Sequence, residues 1–274
     1  MSYGFVPGQR YRMPTHFGPT PGPRQSYGGR VLDYVNTPRQ TILSARFEAD
    51  AGALETLLPP GFSLRRPELT IDFAYMTDID WLAGRAYNTF GVSIPARFEG
   101  QRDVVDGDLL LVLWENLADP ILSGREELGF AKLYSELPPP ATTADAARCE
   151  ALWDGFMFAA LTLHDLSPDT GDPDGEPETQ GLLHYKYVPR TGTPGVADAE
   201  YAVLTPLGGS NLRVEEMQTA ANATISFQRG TWEQLPTLVH IVDRLADIPI
   251  GRCLSARRLR TIGAKDLSDQ RALS

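Results

Sequence analysis

Cysteine, histidine and lysine are all scarce in this chain of 274 residues. The two cysteines, Cys149 and Cys253, are too few for a disulfide framework and lack the spacing of zinc ligands, so we expect two reduced thiols. The four histidines show no ligand-like spacing, and no segment resembles a phosphate-binding or dinucleotide-binding loop. We therefore predict no metal and no cofactor.

Long apolar runs and positive charge are also in short supply. No run approaches the roughly 20 apolar residues of a membrane span, and the first residues lack the basic and apolar regions of a signal peptide. The formal net charge is −10 and the isoelectric point is near 4.9, which disfavours nucleic acid and anionic membranes as partners. These features predict a cytoplasmic protein that binds neither.

An acidic stretch over residues 167–178 has a faint likeness to a calcium-binding loop. Its acidic residues have the wrong spacing, and Pro168, Pro173 and Pro177 interrupt it. We interpret the stretch as a solvated acidic loop.

Hydrophobic residues make up 42% of the chain, enough to bury a substantial core. Residues 1–40 are rich in proline, glycine, arginine and tyrosine, which predicts an extended N-terminal arm without a core of its own. Such arms often lie on a neighbouring subunit, so we expect a homo-oligomer, and residues 41–274 then form one domain. Apolar patterns predict strands over residues 41–47, 69–76, 87–98, 109–114, 130–137, 182–188, 201–204 and 212–227.

Helical signals are fewer. Residues 51–58 follow a plausible cap at Asp50, residues 123–128 begin with the capping-box spacing of Ser123 and Glu126, and residues 232–245 have apolar residues at helical spacing. Residues 144–163 are ambiguous between a helix, which their alanine content favours, and a long strand. The pattern as a whole predicts an α+β fold around an antiparallel sheet.

Lys132 is one of only three lysines, with Lys186 and Lys265, and residues 129–134 around it read GFAKLY. An ammonium among apolar side chains loses hydration, which lowers its pKa towards the range in which a free amine attacks a carbonyl. Lys132 is therefore a candidate Schiff-base nucleophile. The alternative is a lysine whose stem covers apolar surface while its ammonium reaches water.

The strand predicted over residues 130–137 places the lysine between aromatic side chains. With a period of two, Phe130, Lys132, Tyr134 and Glu136 share one face. We expect Phe130 and the nearby Trp114 to contact a substrate bound at the lysine.

Several segments resemble the acetoacetate decarboxylase family in the same order. Asp119-Pro120, then Gly124-Arg125-Glu126, then Lys132 resemble the block in which the family's lysine forms an imine, and this block is the most specific part. Residues 13–19 (MPTHFGP), 54–62 (LETLLPPGF), 87–95 and 185–190 (YKYVPR) are similar to other family segments. The likeness extends from about residue 13 to residue 260. It implies an imine-forming lysine inside a closed, cone-shaped barrel with a few flanking helices.

The chain also departs from the family pattern. True decarboxylases carry a second lysine directly after the nucleophile, and acetoacetate decarboxylase is itself the known example of a lysine activated by a neighbouring cation. Here that position is Leu133, so desolvation alone must lower the pKa of Lys132. A family glutamate in the strand around residues 87–90 is also absent. The family's substrate-carboxylate arginine falls nearest to Arg39, which could grip a carboxylate with a bidentate fork.

Imine chemistry on a keto acid needs a general acid or base beside the lysine. Tyr87, Glu115 and Asp72 are candidates because all three lie in or directly after predicted strands, with Asp72 also a possible substrate-binding residue. For each of them the alternative is a structural hydrogen bond. Arg125 more plausibly pairs with carboxylates of its own helix or of another chain than takes part in chemistry.

These observations predict a cofactor-independent lyase that forms a Schiff base with a small keto acid. Some members of the wider superfamily are pyruvate aldolase-dehydratases that lack the decarboxylase's acidic and second basic groups, and this chain resembles that variant. We therefore expect aldol condensation of pyruvate with an aldehyde, followed by dehydration. Decarboxylation of acetoacetate or another β-keto acid is the first alternative, and a non-catalytic small-molecule binding protein on the same fold is the second.

Overall fold

The computed structural model describes residues 4–169 and 179–274, and in them one large sheet dominates. In many strands the residues alternate between a buried and a more exposed face, as a period of two requires, whereas residues 90–96 are all buried. The strands are β1 Arg39–Ala49, β2 Phe62–Leu64, β3 Glu68–Ile79, β4 Arg85–Glu99, β5 Val104–Glu115, β6 Lys132–Tyr134, β7 Ala141–Thr142, β8 Ala147–Trp153, β9 Phe156–Pro168, β10 Gly181–Pro189, β11 Ala197–Pro206, β12 Arg213–Phe227, β13 Ile250–Ile262 and β14 Arg271–Ala272.

The strand order is β14-β11-β10-β5-β4-β3-β1-β13-β12-β9-β8-β7, with β2 pairing with β4 and β6 with β5. Most pairs are antiparallel, but β5 runs parallel to both β6 and β10. The sheet is therefore mixed, where the sequence predicted an antiparallel one. The order is also an open path, so the closed barrel is not confirmed. An isolated bridge between Glu136 and Leu152, with two hydrogen bonds of 2.8 and 2.9 Å, joins the segment after β6 to β8.

All eight predicted strand segments overlap observed strands. The ambiguous residues 144–163 belong to β8 and β9, which form a hairpin. The two residues between these strands are Asp154 and Gly155, with φ of 47° and 77°. Asp-Gly is a favoured pair for a two-residue hairpin turn because both positions need positive φ.

The helices are short and few. They are α1 Ala51–Glu55, α2 Ala118–Ser123 and α3 Val239–Ala246. The Asp50 cap is confirmed, since its Oδ1 accepts a 2.8 Å hydrogen bond from the backbone N–H of Ala53. The predicted helix at residues 232–245 begins late, because residues 232–238 around Pro236 form turns.

The capping box at Ser123 and Glu126 was wrong. Ser123 is the last residue of α2, its hydroxyl donates to the carbonyl of Pro120 at 3.3 Å, and Gly124–Leu128 continue as one π-helical turn. The turn ends at Gly129, whose φ of 80° closes it, as predicted. The strand expected over residues 130–137 is reduced to β6.

The core lies on one face of the sheet, where Phe73, Phe90 and Trp114 stack in a row across β3, β4 and β5. The N-terminal segment includes two short 3-10 turns, Thr15–Phe17 and Tyr27–Gly29. In the described part of the chain, the helices are too short and too polar to span a bilayer. Most of the acidic stretch at residues 167–178 lies outside the described residues.

Candidate active site

Lys132 opens β6 and lies opposite Leu113 of the parallel strand β5. Because alternate residues of a strand share a face, Lys132 projects from the same face of the sheet as Glu115. Only 7% of Lys132 is exposed to solvent. This lysine is therefore desolvated, as the sequence predicted.

Three groups surround the ammonium. Nζ of Lys132 lies 2.8 Å from Oε1 of Glu115 and donates a 3.0 Å hydrogen bond to the carbonyl of Pro120. It also lies 5.1 Å from the centre of the Phe130 ring. Burial lowers the pKa of Lys132, the charge and hydrogen bond of Glu115 oppose this shift, and the nearby positive charge of Arg24 adds to it.

Glu115 ends β5 and is 1% exposed. Burial raises its pKa, while the charge and hydrogen bond of Lys132 oppose that rise. Its Oε2 has no hydrogen-bond partner among the described residues. The pKa of Glu115 is raised and the pKa of Lys132 is lowered. Because the two groups are in contact, both shifts favour transfer of the proton from the lysine to the glutamate.

The π-helical turn Gly124–Leu128 shapes the space around the lysine. A Cβ added to Gly124 would lie 2.4 Å from Cδ and Cε of Lys132 and 2.6 Å from its Nζ. Any other residue type at position 124 would force the end of the Lys132 side chain to move. Arg125 of the same turn donates a 2.8 Å hydrogen bond from Nη1 to the backbone carbonyl of Lys132. Arg125 thus contacts the backbone of the site, and this contact is not the carboxylate pairing expected from the sequence.

Tyr87 of β4 lies on the same face as Glu115, because Thr89, two residues further on, pairs directly with Glu115. Burial raises the pKa of Tyr87, and the negative charge of Glu115 raises it further. The tyrosine therefore stays protonated and lies within electrostatic range of the carboxylate. Lys132, Glu115, Tyr87 and Phe130, all predicted site residues, thus lie together.

His184 of β10 also belongs to this cluster, although the sequence analysis did not predict it. The centre of its ring lies 4.1 Å from that of Phe130, with the two rings tilted by 38°, and its Nε2 lies 2.8 Å from the hydroxyl of Thr205. Burial, with the positive charge of Lys132, lowers the pKa of His184 to about 3. The imidazole is therefore neutral at ordinary pH. A lone histidine in the apolar run of residues 181–184 carries no spacing signal that would link it to Lys132.

Arg24 of the N-terminal segment was missed for a similar reason. It forms an ion pair with Glu127 of the π-helical turn, and Arg12 pairs with the same carboxylate at 3.1 Å. Tyr34, whose hydroxyl donates to the carbonyl of Pro23, lies close enough for the charge of Arg24 to affect its pKa. Nothing in residues 1–40 of the sequence indicated which arginine would approach Lys132.

Arg39 lies away from the lysine. Its side chain is 52% exposed and pairs with Glu215 at 3.1 Å. Ser44 is the residue of β1 that lies level with Lys132 across the sheet. The row of paired residues between them is Asp72, Gly91 and Leu113. Arg39 precedes Ser44 by five residues, which is roughly 17 Å along the strand and places it on the other face of the sheet. The sequence-based position for the carboxylate-binding arginine is therefore not beside Lys132.

Trp114 and Asp72 are also not brought to the lysine. Trp114 is 0% exposed and packs in the core between Phe90 and Phe158, on the face opposite Lys132. Asp72 shares the face of Lys132 but lies three strands away, roughly 14 Å at 4.7–4.9 Å per strand. Burial raises the pKa of Asp72, and a hydrogen bond from Ser44 opposes the rise.

The site therefore combines a buried amine, a buried carboxyl group, a protonated tyrosine and a neutral histidine. A neutral amine can attack a carbonyl carbon, and a carboxyl group in contact with it can exchange the protons that imine formation requires. Among the residues that the structure describes, no group of histidine, cysteine, aspartate or glutamate side chains could hold a metal ion.

Solved structures of several enzymes share this fold. Acetoacetate decarboxylase from Legionella pneumophila has 17% identity and a TM-score of 0.62, over 90% of this chain and 92% of that one. An acetoacetate decarboxylase-like enzyme from Sphingomonas wittichii RW1 has 16% identity and a TM-score of 0.60, over 89% and 94%. MppR, an enduracididine biosynthesis enzyme, complexed with the condensation product of pyruvate and imidazole 4-carboxaldehyde, has 16% identity and a TM-score of 0.61, over 100% and 98%.

At these identities the structural likeness shows the fold alone. No curated protein sequence matches the chain. The model of the acetoacetate decarboxylase family, in contrast, matches residues 12–264, which include the π-helical turn and both members of the Lys132–Glu115 pair. The chain belongs to the acetoacetate decarboxylase family.

Proposed function

We propose that this protein is a lyase that forms a Schiff base between Lys132 and a small keto acid, and that it condenses pyruvate with an aldehyde and then removes water. The observation that carries the proposal is the contact between two buried groups, Nζ of Lys132 and Oε1 of Glu115 at 2.8 Å. Burial disfavours the charged form of each group, so the pair can hold its proton on the carboxyl group and leave the amine free.

Imine formation then balances within the pair. The nitrogen of Lys132 attacks the carbonyl carbon, the C=O π electrons move to oxygen, and Glu115 returns the proton so that the oxygen becomes a hydroxyl group. Loss of that hydroxyl as water needs one more proton, which the nitrogen's own N–H supplies through Glu115. The product is a protonated imine next to the carboxylate of Glu115, and these two charges cancel.

Carbon–carbon bond formation uses the same groups. Removal of a proton from the methyl group of the pyruvate imine by Glu115 moves the electrons to nitrogen and gives an enamine. The enamine carbon attacks the aldehyde, and the aldehyde oxygen takes up a proton, which Glu115 replaces with the one it removed from the methyl group. Glu115 then removes a second proton from the same carbon and returns it to the hydroxyl group, which leaves as water and gives the conjugated product. Tyr87 is a candidate for the proton donor to the aldehyde oxygen, because it remains protonated beside Glu115. Hydrolysis of the imine releases the product and restores Lys132.

Two features favour condensation over decarboxylation. Leu133 replaces the second lysine of true decarboxylases, and residues 87–90 contain no glutamate. The comparison with MppR supports the same choice, since its structure contains a condensation product of pyruvate and an aldehyde. Decarboxylation of acetoacetate or another β-keto acid stays the first alternative, and a binding protein without activity the second.

The remaining sequence-based expectations are also proposals. We take residues 41–274 as one domain in a closed, cone-shaped barrel, with residues 1–40 as an N-terminal arm, in a cytoplasmic homo-oligomer. The pairing of Arg12 and Arg24 with Glu127 supports an arm that docks on its own chain, next to the lysine.

Product analysis separates the three functions. The purified protein is incubated with pyruvate and imidazole 4-carboxaldehyde, and separately with acetoacetate, and products are followed by mass spectrometry and carbon dioxide release. We expect a conjugated condensation product from the first mixture, little carbon dioxide from the second, and neither with Lys132→Arg. Lys186→Arg is the matched control. Rapid carbon dioxide release without condensation would favour the decarboxylase, and no turnover with either mixture would favour the binding protein.

A further inference from the structure

One face of β10 packs against the segment that leads to Lys132. His184 and Lys186 are two residues apart in this strand, so they share that face. The ammonium of Lys186 donates a 2.6 Å hydrogen bond to the backbone carbonyl of Glu126 in the π-helical turn. The ring centre of His184 lies 4.1 Å from that of Phe130, and Nζ of Lys132 lies 5.1 Å from the centre of the same phenylalanine ring. The imidazole and the reactive amine therefore have Phe130 as a common neighbour.

Only one of the two ring nitrogens of His184 has a partner among the described residues. The residue is 0% exposed, and its Nε2 lies 2.8 Å from the hydroxyl oxygen of Thr205. Its Nδ1 is buried and has no hydrogen-bond partner in the ranges 4–169 and 179–274. Leaving a buried polar atom unpaired is costly, and native proteins rarely do so. Such an atom indicates a group that binds beside it.

The hydrogen bonds of Thr205 decide which nitrogen of His184 carries the proton. The amide nitrogen of Gln270 donates to the hydroxyl oxygen of Thr205. Among the described residues, the hydroxyl proton of Thr205 then has one acceptor, Nε2 of His184. The imidazole is neutral, because burial and the positive charge of Lys132 lower its pKa to about 3. A neutral imidazole that accepts at Nε2 carries its proton on Nδ1, so the unpartnered atom is a hydrogen-bond donor.

A second unpartnered atom of the cluster is an acceptor. Oε2 of Glu115 is buried and has no hydrogen-bond partner in the part of the chain that the structure describes, while Oε1 lies 2.8 Å from Nζ of Lys132. Attack of this nitrogen on a carbonyl group creates a hydroxyl group next to Glu115. A hydroxyl group accepts one hydrogen bond while it donates another. It therefore matches both the N–H of His184 and the free oxygen of Glu115.

We propose that the Nδ1–H of His184 donates a hydrogen bond to the substrate oxygen while Lys132 attacks the carbonyl carbon. Thr205 and Gln270 are positioning residues, because they hold the imidazole in the tautomer that this role requires. The inference rests on the proposed function and deepens it, since it assigns a donor to the oxygen that gains negative charge. Glu115 still gives its proton to that oxygen and His184 keeps its own, so the proton balance of the proposed reaction is unchanged.

The tautomer of His184 is measured first, on the full chain. Two-bond proton–nitrogen correlation spectra show which ring nitrogen carries the proton, and His184→Gln assigns the signals among the four histidines. We expect the proton on Nδ1 in the wild type. In Gln270→Glu the carboxylate accepts the proton of Thr205, so Thr205 accepts from Nε2 and the imidazole proton moves there. Gln101→Glu, at an exposed position, is the matched control and should leave it on Nδ1. A wild-type proton on Nε2 would overturn the assignment.

Two reagents then separate the oxygen from the amine. Borohydride quenching at successive times gives the rate at which pyruvate forms the imine of Lys132, and acrylonitrile alkylates the same amine without a carbonyl oxygen. His184→Gln lacks the donor at Nδ1, so we expect imine formation relative to alkylation to fall about 10- to 100-fold. Gln270→Glu should show a similar fall and serves if His184→Gln does not fold, while Gln101→Glu should show none. An unchanged ratio in folded His184→Gln or Gln270→Glu would overturn the proposed role.

Failure of the Schiff-base proposal gives a different result. If borohydride and pyruvate leave Lys132 of the wild type unlabelled, the proposed reaction fails. His184 is then judged by the nitrogen resonance of its Nδ1 as pyruvate is added. A shift that saturates in the wild type and in Gln101→Glu, and is absent in Gln270→Glu, would support a donor to a bound oxygen. A resonance that pyruvate does not move in the wild type would overturn the inference about His184 as well.

Discussion

Lys132 and Glu115 form a buried pair, with Nζ of the lysine 2.8 Å from Oε1 of the glutamate. The two residues lie on neighbouring parallel strands and project from the same face of the sheet. The sequence suggested that desolvation alone lowers the pKa of Lys132. The structure adds a carboxylate that opposes the shift while it supplies a proton acceptor for the amine.

Removing the carboxylate should make the lysine a weaker base. In Glu115→Gln the negative charge that raises the pKa of Lys132 is lost while burial still lowers it, so the pKa falls further. We expect the pH midpoint of irreversible acylation of Lys132, measured by peptide mass spectrometry, to move to lower pH than in the wild type. Glu126→Gln on the neighbouring turn is the control. A midpoint that moves to higher pH would contradict the pairing.

Replacing Lys132 alone should lower the free energy of unfolding more than replacing both members of the Lys132–Glu115 pair. Lys132→Met leaves Glu115 buried without a partner, and we expect the free energy of unfolding to fall by about 3–5 kcal/mol at pH 8. The cost should shrink at pH 5, because burial raises the pKa of Glu115 and the lone carboxyl group then takes up a proton. Lys132→Met with Glu115→Leu should recover most of the loss. Urea unfolding at both pH values provides the test, and equal losses in the single and double variants would argue against coupling.

Fast imine formation should depend on the space that Gly124 leaves for the Lys132 side chain. Its φ and ψ of −67° and −43° are helical, so alanine suits the backbone. The added methyl group would nevertheless overlap the Lys132 side chain at 2.4 Å. We expect Gly124→Ala to fold and to form the trapped imine about 10- to 100-fold more slowly, as a misplaced nucleophile does. Gly52→Ala, another helical glycine with only ordinary contacts at 3.4 Å, should leave trapping unchanged. Full trapping in Gly124→Ala would contradict this geometry.

Because His184 is neutral in the folded protein, we expect the protein to lose stability as the pH falls. Its pKa is about 3 in the folded protein, against about 6.5 when unfolded. Between these values the unfolded chain binds a proton that the folded chain does not, so stability is lost as the pH falls, by up to about 1.4 kcal/mol per pH unit. Urea unfolding at pH 7 and pH 4.5 should show a smaller loss for His184→Gln than for the wild type. Exposed His240→Gln serves as control, and the same loss in all three proteins would exclude His184 as the cause.

Local patterns in the sequence predicted most of the fold. Strand segments such as residues 69–76 were correct because their buried and less buried residues alternate with a clear period of two. The segment of β8 and β9 is ambiguous in sequence because its alanine content favours a helix, although Asp154-Gly155 is a strong signal for a hairpin turn. The capping box at Ser123 failed because α2 begins earlier, at Ala118, and Ser123 bonds to the carbonyl of Pro120 instead.

Site residues could be predicted only where a reactive side chain stood in a segment with a clear local sequence pattern. Lys132 was identifiable from its rarity and its apolar neighbours, and Glu115 from its place at the end of a strand. Arg24 and His184 come from segments far away in sequence, so their approach to Lys132 depends on pairings of β5 with β10 and of Arg24 with Glu127. Trp114 and Arg39 failed because strand register, which the sequence left open, decides the face from which each side chain projects.

Trapping of the wild-type protein with pyruvate tests the central claim most directly. The chain has three lysines, Lys132, Lys186 and Lys265, so reduction with borohydride followed by peptide mass spectrometry can map every modified lysine. The account predicts one reduced pyruvate adduct, on the peptide that contains Lys132. An unmodified Lys132, or labelling of Lys186 and Lys265 to the same extent, would contradict it.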